Sequence, residues 1–211
     1  MNNEILVNIT PQETRVAILE QGVSQELHIE RESGRGIVGN IYNGRVSRVL
    51  PGMQSAFIDI GLDRAAFLHV ADIWSPNQEG ETTQPIEKLL YEGNSILVQV
   101  IKDAIGTKGA RLSTQISLAG RLLVYLPQES HIGISQRIGD DSERELLREK
   151  LQQILPADEK GGYIIRTMAE TADESDLRAD LDYLHKLWHD IQKKSMAIAA
   201  PVLLYQDLDL R

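Results

Sequence analysis

Phe57 and Phe67 are the only two phenylalanines among the 211 residues. Each sits in a short apolar run, SAFIDI and AAFLHV, and the segment between them, GLDR, is turn-forming. An antiparallel pair closed by that turn brings the two rings near each other. Flat apolar rings beside cations suit a ligand with flat faces and phosphates, which is what single-stranded RNA offers. Arg64 and the loop residue Lys108 are placed to supply the cations. The same spacing equally fits a plainer arrangement in which both rings fill the interior of a small β-barrel, and spacing does not separate the two.

Three other constellations carry less. His185 and His189 lie one helical turn apart, as a metal-binding pair would. The metalloprotease pattern needs glutamate directly after the first histidine, however, and Lys186 stands there, so both read as solvated helix residues. Gly34-Arg35-Gly36-Ile37-Val38-Gly39 has the glycine spacing of a dinucleotide-binding turn. A strand follows it, not the helix whose N-terminus would hold pyrophosphate. Asp59, Asp63 and Asp103 read as solvated strand-end acids and not as a metal cluster. The chain has no cysteine, which excludes disulfides and cysteine-ligated metal within it and fits a reducing cytoplasm.

The elements that must position these residues read as α+β. EILVNI, TRVAIL and SQELHIE form a β-meander over residues 4–31, with Gln21-Gly22 as its second turn. From 36 to 118 come five short strands: IVGNIYNGRVSRVL, with Gly39 and Gly44 where it could bend, then SAFIDI, AAFLHV, SILVQVIKD and ARLSTQISL. Glycine kinks in a five-strand series predict a small closed barrel of the OB type. Beyond 118 the spacing predicts strands at GRLLVYL, IGISQRI and GGYIIRTM. A helix is predicted over 141–155, with a capping box of Ser142 and Glu145 and a stop at Pro156. A second, over 173–195, follows from the spacing of Leu177, Leu181, Leu184, Trp188 and Ile191. PVLLYQDLDLR reads as a terminal strand.

Net charge argues at first against an RNA partner, because the whole chain is at −9. Phosphates feel the local surface, however. Over residues 36–71 and 96–118 the cations are Arg45, Arg48, Arg64, Lys102, Lys108 and Arg111, and the acids are Asp59, Asp63 and Asp103, leaving the barrel at +3. That is compatible with salt-sensitive RNA binding. No apolar run reaches membrane-spanning length and no export signal is recognisable, so the expectation is a cytoplasmic protein without a membrane partner.

The run NIYNGRVSRVLPGMQSAFIDIGLDRAAFLHVADI resembles the start of the RNA-binding barrel of the bacterial ribonuclease E/ribonuclease G family. The resemblance extends to VNITPQETRVAILE before it and to GTKGARLSTQISLAG and IIRT after it. HIERESGRGIVGNIY is more like the ribonuclease G branch. The resemblance implies three parts. Residues 1–35 are the first strands of a split ribonuclease H-like subdomain, residues 36–118 an OB-fold barrel, and residues 119–211 a small α/β module that senses RNA 5′ ends. It implies RNA contacts at Phe57, Phe67 and Lys108. It implies a 5′-monophosphate site at Gly120, Val124, Arg166 and Thr167. There an arginine can donate two hydrogen bonds to phosphate oxygens, a threonine can add a hydroxyl, and backbone N–H groups near Gly120 and Val124 can complete a cradle.

The resemblance also implies what lies elsewhere. The family's catalytic aspartates and their magnesium, and a zinc shared between subunits through paired cysteines, belong to later regions, and nothing here resembles them. The expectation is therefore an N-terminal fragment without catalytic residues, metal or cofactor of its own, inactive alone, from a homo-oligomeric single-strand-specific endoribonuclease of ribosomal RNA maturation and messenger decay. The alternative is a stand-alone RNA-binding regulator that uses the barrel only.

Overall fold

The computed structural model describes residues 3–75 and 84–208. The chain begins with an antiparallel meander, β1 (Asn3–Ile9), β2 (Glu13–Glu20) and β3 (Val23–Arg31), in the order β1-β2-β3. Gln21 and Gly22 both take positive φ (52° and 78°), the backbone of a tight turn whose twist matches the flanking strands. Apolar side chains alternate onto both faces of this sheet. Ile5, Leu6, Val7, Val23 and Leu27 are all more than half exposed.

The barrel follows: β4 (Ile41–Leu50), β5 (Ser55–Asp59), β6 (Ala66–His69), a short helix α1 (Ile86–Leu89), β7 (Ser95–Lys102) and β8 (Arg111–Ser113). Its strand order is β4-β5-β6-β8-β7, and β7 pairs back onto β4, which closes the ring. All pairs are antiparallel except β6 with β8. Closure removes the exposed edges that an open sheet of this size would present. Inside lies a core that includes Val46, Ile58, Leu68, Val98 and Leu112, each at most 1% exposed. The predicted fifth strand, ARLSTQISL, is not continuous. It breaks after β8, and β9 (Leu118–Ala119) belongs to the next sheet. Part of the predicted 72–95 loop, residues 76–83, lies outside the described residues.

The second sheet is ordered β11-β12-β10-β9, with β10 (Leu123–Leu126), β11 (Ile132–Ile134) and β12 (Gly162–Ile165). Helices α2 (Asp141–Ile154) and α3 (Glu174–Ala197) contribute to its core through Leu147, Leu151, Leu177, Leu181 and Leu184. The α3 periodicity is the one read from the sequence. The cap of α2 differs: the Asp140 side chain accepts from the Ser142 N–H at 2.8 Å, so Asp140 is the cap, and Glu145 pairs with Arg148. Asp140 and Ser142 are both good caps, and the chain path selects the earlier one.

The last strand, β13 (Val202–Tyr205), returns to the barrel and pairs with β4 over Ile41–Asn43. β4 thus pairs with β13 at its start and with β5 from Arg45 onward, changing neighbour at Gly44. Asn43 donates from Nδ2 to the carbonyls of Ser195 (3.3 Å) and Ile198 (3.2 Å), satisfying groups at the C-terminal end of α3. Arg45 donates to the Ala200 carbonyl.

Candidate nucleic-acid interface

Strand alternation puts each phenylalanine on the face opposite its two chain neighbours. Along β5 the sequence is Ala56-Phe57-Ile58, and along β6 it is Ala66-Phe67-Leu68. Ala56, Ile58, Ala66 and Leu68 are fully buried, whereas Phe57 is 37% exposed and Phe67 is half-buried. Both rings therefore stand on the outside of the barrel, not in its core. They are direct cross-strand partners, with centroids 6.3 Å apart and planes at 66°, an edge-to-face contact.

The register extends this pair into a row. Arg48 on β4 stands opposite Phe57, and Arg111 on β8 stands opposite Phe67. The row reads Arg48, Phe57, Phe67, Arg111 across four strands, an aromatic pair with a guanidinium at each end. Arg48 is exposed. Arg111 is not a free cation. Its Nε and Nη2 donate to the two carboxylate oxygens of Asp72 at 2.8 and 3.1 Å, and that hydrogen bond and charge raise its already high pKa. A charge count that stops at residue 71 misses this partner, so the barrel's unpaired positive charge is smaller than sequence arithmetic gives. Arg48 as the end of the row was also missed, because a bulge between Val46 and Arg48 sets its register.

Lys108 lies in a small reverse turn, where Ile105 and Lys108 exchange backbone hydrogen bonds of 3.2 and 3.0 Å. Arg64 donates to the Gly106 carbonyl within that turn. Gly109 passes so close to β6 that a Cβ there would sit 2.1 Å from the Ala65 carbonyl oxygen. The Phe67 N–H donates to the Ala110 carbonyl at 2.7 Å. These contacts hold the Lys108 loop beside the Phe67 end of the row, and Lys108 itself is exposed.

The second predicted cluster lies on the other sheet. Val124 is the cross-strand partner of Ile164, and Leu123 of Ile165, so Arg166 extends β12 on the face that carries Val124. The Arg166 N–H donates to the Leu122 carbonyl at 2.8 Å, and its Nη1 donates to the Gly120 carbonyl. Thr167 opens a 3₁₀ turn, Thr167–Ala169, directly after it. Gly120, Val124, Arg166 and Thr167 are thus brought to one end of β10 and β12. Three of the N–H groups near Gly120 and Val124 are not free, however. The N–H groups of Arg121, Leu122 and Leu123 donate to the Asp180 carboxylate at 3.0, 2.9 and 2.8 Å. That partner was invisible in sequence because it lies nearly sixty residues downstream.

Of the two histidines on α3, His189 is exposed as expected, whereas His185 is half-buried and hydrogen-bonded. Its Nε2 lies 2.7 Å from the Tyr163 hydroxyl and 2.7 Å from Glu159 Oε2, while the Tyr163 hydroxyl is 2.9 Å from the same oxygen. Burial, reinforced by the Glu159 charge and hydrogen bond, pushes the neighbouring Tyr125 hydroxyl up to about 12 and holds Tyr163 higher still. Among the described residues no group of three or more histidine, aspartate or glutamate side chains is arranged to hold a metal ion. No helix among them is long and apolar enough to cross a membrane.

Comparison with known proteins places the chain. Residues 117–211 match the model of the Ribonuclease E/G family. The whole chain is 50% identical to ribonuclease G of Escherichia coli (strain K12), covering 44% of that protein. It is 52% identical over 90% of its length to ribonuclease G of Haemophilus influenzae, and 38% identical over 95% of its length to ribonuclease E of Nostoc sp.. It therefore spans less than half the length of these curated relatives. Over its whole length the chain is similar to ribonucleases of the E/G family.

Proposed function

We propose that this chain is the RNA-binding and 5′-end-sensing portion of a single-strand-specific endoribonuclease acting in ribosomal RNA maturation and messenger RNA decay. The observation that carries the reading is the outward Phe57–Phe67 pair. A small barrel gains little by leaving its only two phenylalanines outside, and much if they stack on bases. Stacking is typically worth ~1–3 kcal/mol per base and tolerates any sequence. Arg48 and Lys108 flank the pair and reach for the backbone phosphates. Arg166 and Thr167 take a terminal phosphate, the guanidinium donating from the edge not used by Gly120. A terminal hydroxyl offers that guanidinium no anion.

The parent is a cytoplasmic homo-oligomer that uses magnesium and a shared zinc. The sequence has no cysteine, so a cysteine-held zinc would take its ligands from elsewhere in that parent. The chain alone holds RNA without cutting it. The test is titration of one labelled single-stranded oligoribonucleotide carrying either a 5′-monophosphate or a 5′-hydroxyl. The monophosphate form should bind more tightly, and Arg166→Ala should equalise the two with general binding retained. Equal affinity of the unmodified chain for both ends would refute end sensing, and magnesium-dependent cleavage by the purified chain would refute its inactivity.

A further inference from the structure

We propose that Asp180 is the positioning residue of the phosphate pocket. It would hold the turn that aims Arg166, so that helix α3, and not the sheet alone, sets the pocket's geometry. This rests on the reading of Arg166 as a phosphate ligand.

One carboxylate accepts from three successive backbone N–H groups, those of Arg121, Leu122 and Leu123. Charge-assisted bonds of this kind are roughly twice as strong as neutral ones, and three on one anion leave the turn little freedom. The turn closes further through the Gly120 N–H, which donates to the Leu123 carbonyl at 2.8 Å. The Gly120 carbonyl then receives Nη1 of Arg166. The linkage is therefore continuous: α3, the Asp180 carboxylate, the 120–123 turn, the Gly120 carbonyl and the Arg166 guanidinium.

Two further observations fit. The carboxylate lies against Gly120, where a Cβ would stand 2.5 Å from Oδ2 and 2.7 Å from Oδ1, so this seating requires glycine. Asp180 also sits between Leu177 and Leu181 on α3, which are 1% and 3% exposed, so the core fixes where the carboxylate can be. A surface acid that merely capped a turn would need neither. The assignment divides the labour in the pocket. Asp180 takes the N–H groups, and the incoming phosphate is left to the outer edge of Arg166 and to Thr167.

The experiment uses the full 211-residue chain and 5′-monophosphate and 5′-hydroxyl versions of one oligoribonucleotide labelled at its 3′ end, read by fluorescence anisotropy. Asp180→Asn keeps the shape but loses the charge and turns an N–H group toward donors. The preference for monophosphate should fall about tenfold, the effect of losing about one charge-assisted hydrogen bond from Arg166 to the phosphate. Affinity for the hydroxyl form should stay within about twofold, because the barrel is untouched. Gly120→Ala perturbs the same contact from the other side and should give the same selective loss. The double variant Asp180→Asn/Arg166→Ala should be no worse than Arg166→Ala, since the two act through one group. If both oligonucleotides weaken alike, Asp180 is structural only and the proposal is overturned. If Arg166→Ala abolishes the preference while Asp180→Asn and Gly120→Ala keep it, the positioning role alone is overturned. If the unmodified chain shows no preference, the phosphate reading fails and this inference with it.

Discussion

Replacing Phe57 by alanine separates an RNA platform from a barrel core, and the structure supplies a matched control. Leu68 lies one position along from Phe67 on β6, but it faces inward and is fully buried, whereas Phe57 is 37% exposed. Truncating a buried leucine to alanine costs ~2–5 kcal/mol. In a chain of this size each kcal/mol lowers the thermal midpoint by roughly 2–4 °C, so Leu68→Ala should lower it by roughly 4–20 °C. Phe57→Ala loses the edge-to-face contact with Phe67 and only part of a burial, about 1 kcal/mol or roughly 2–4 °C. Affinity should show the reverse order. Losing one stacked base, at ~1–3 kcal/mol, weakens single-stranded RNA binding about 5- to 150-fold, whereas Leu68→Ala, below its melting range, should change it little. Melting followed by circular dichroism and RNA titration by fluorescence anisotropy, on the same preparations, give both numbers. If Phe57→Ala melts as early as Leu68→Ala while binding RNA normally, the outward ring is structural and the platform does not exist.

Two further outcomes follow from local geometry. Gly120→Ala should cost ~1–3 kcal/mol in a denaturant melt, because its Cβ meets the Asp180 carboxylate at 2.5 Å. Gly133→Ala, whose nearest neighbour is a side-chain carbon of Ile164 at 3.5 Å, should be tolerated, and equal tolerance of both would refute the crowding argument. The second outcome concerns high pH. The Tyr125 hydroxyl is raised from its ordinary value of 10.0 to about 12 by burial and then by Glu159. A raised folded-state value means the fold favours the protonated form. That stabilisation is complete below pH 10, and it is lost as pH rises from there through about 12. Unfolding by denaturant should therefore become easier across that window, and less so in Tyr125→Phe.

Much of the architecture was readable from the sequence because it depends on short-range periodicity. Leu177, Leu181 and Leu184 announce α3, and the alternation in SAFIDI and AAFLHV announces two strands. Which face of those strands turns inward was not readable. Ala56 and Ile58 are apolar, Phe57 is apolar too, and period-two alternation cannot rank one apolar face above the other. Closure of β7 onto β4 settles it. The other misses share a cause in sequence distance. Asp72 reaches Arg111 across 39 residues, and Asp180 reaches the 121–123 turn across 57 to 59. Carboxylates that look solvated in a linear reading are in both cases the partners that fix a neighbouring cation or turn. The Asp140 cap is the opposite case, a short-range choice between two suitable residues that only the chain path decides.

The β1–β3 meander has a consequence for how the chain behaves in a tube. With Ile5 and Val7 on one face and Leu6 and Leu27 on the other, all more than half exposed, it presents apolar side chains to water on both faces. At low ionic strength the net charge of −9 keeps copies apart. Added salt screens that repulsion within ~10 Å at 0.1 M and leaves the apolar attraction intact. The colloidal stability of the chain and its grip on RNA should therefore both decline as salt rises, for unrelated reasons. A falling anisotropy plateau in a salt series would then mix counterion release with self-association, and light scattering at each salt step is what separates them.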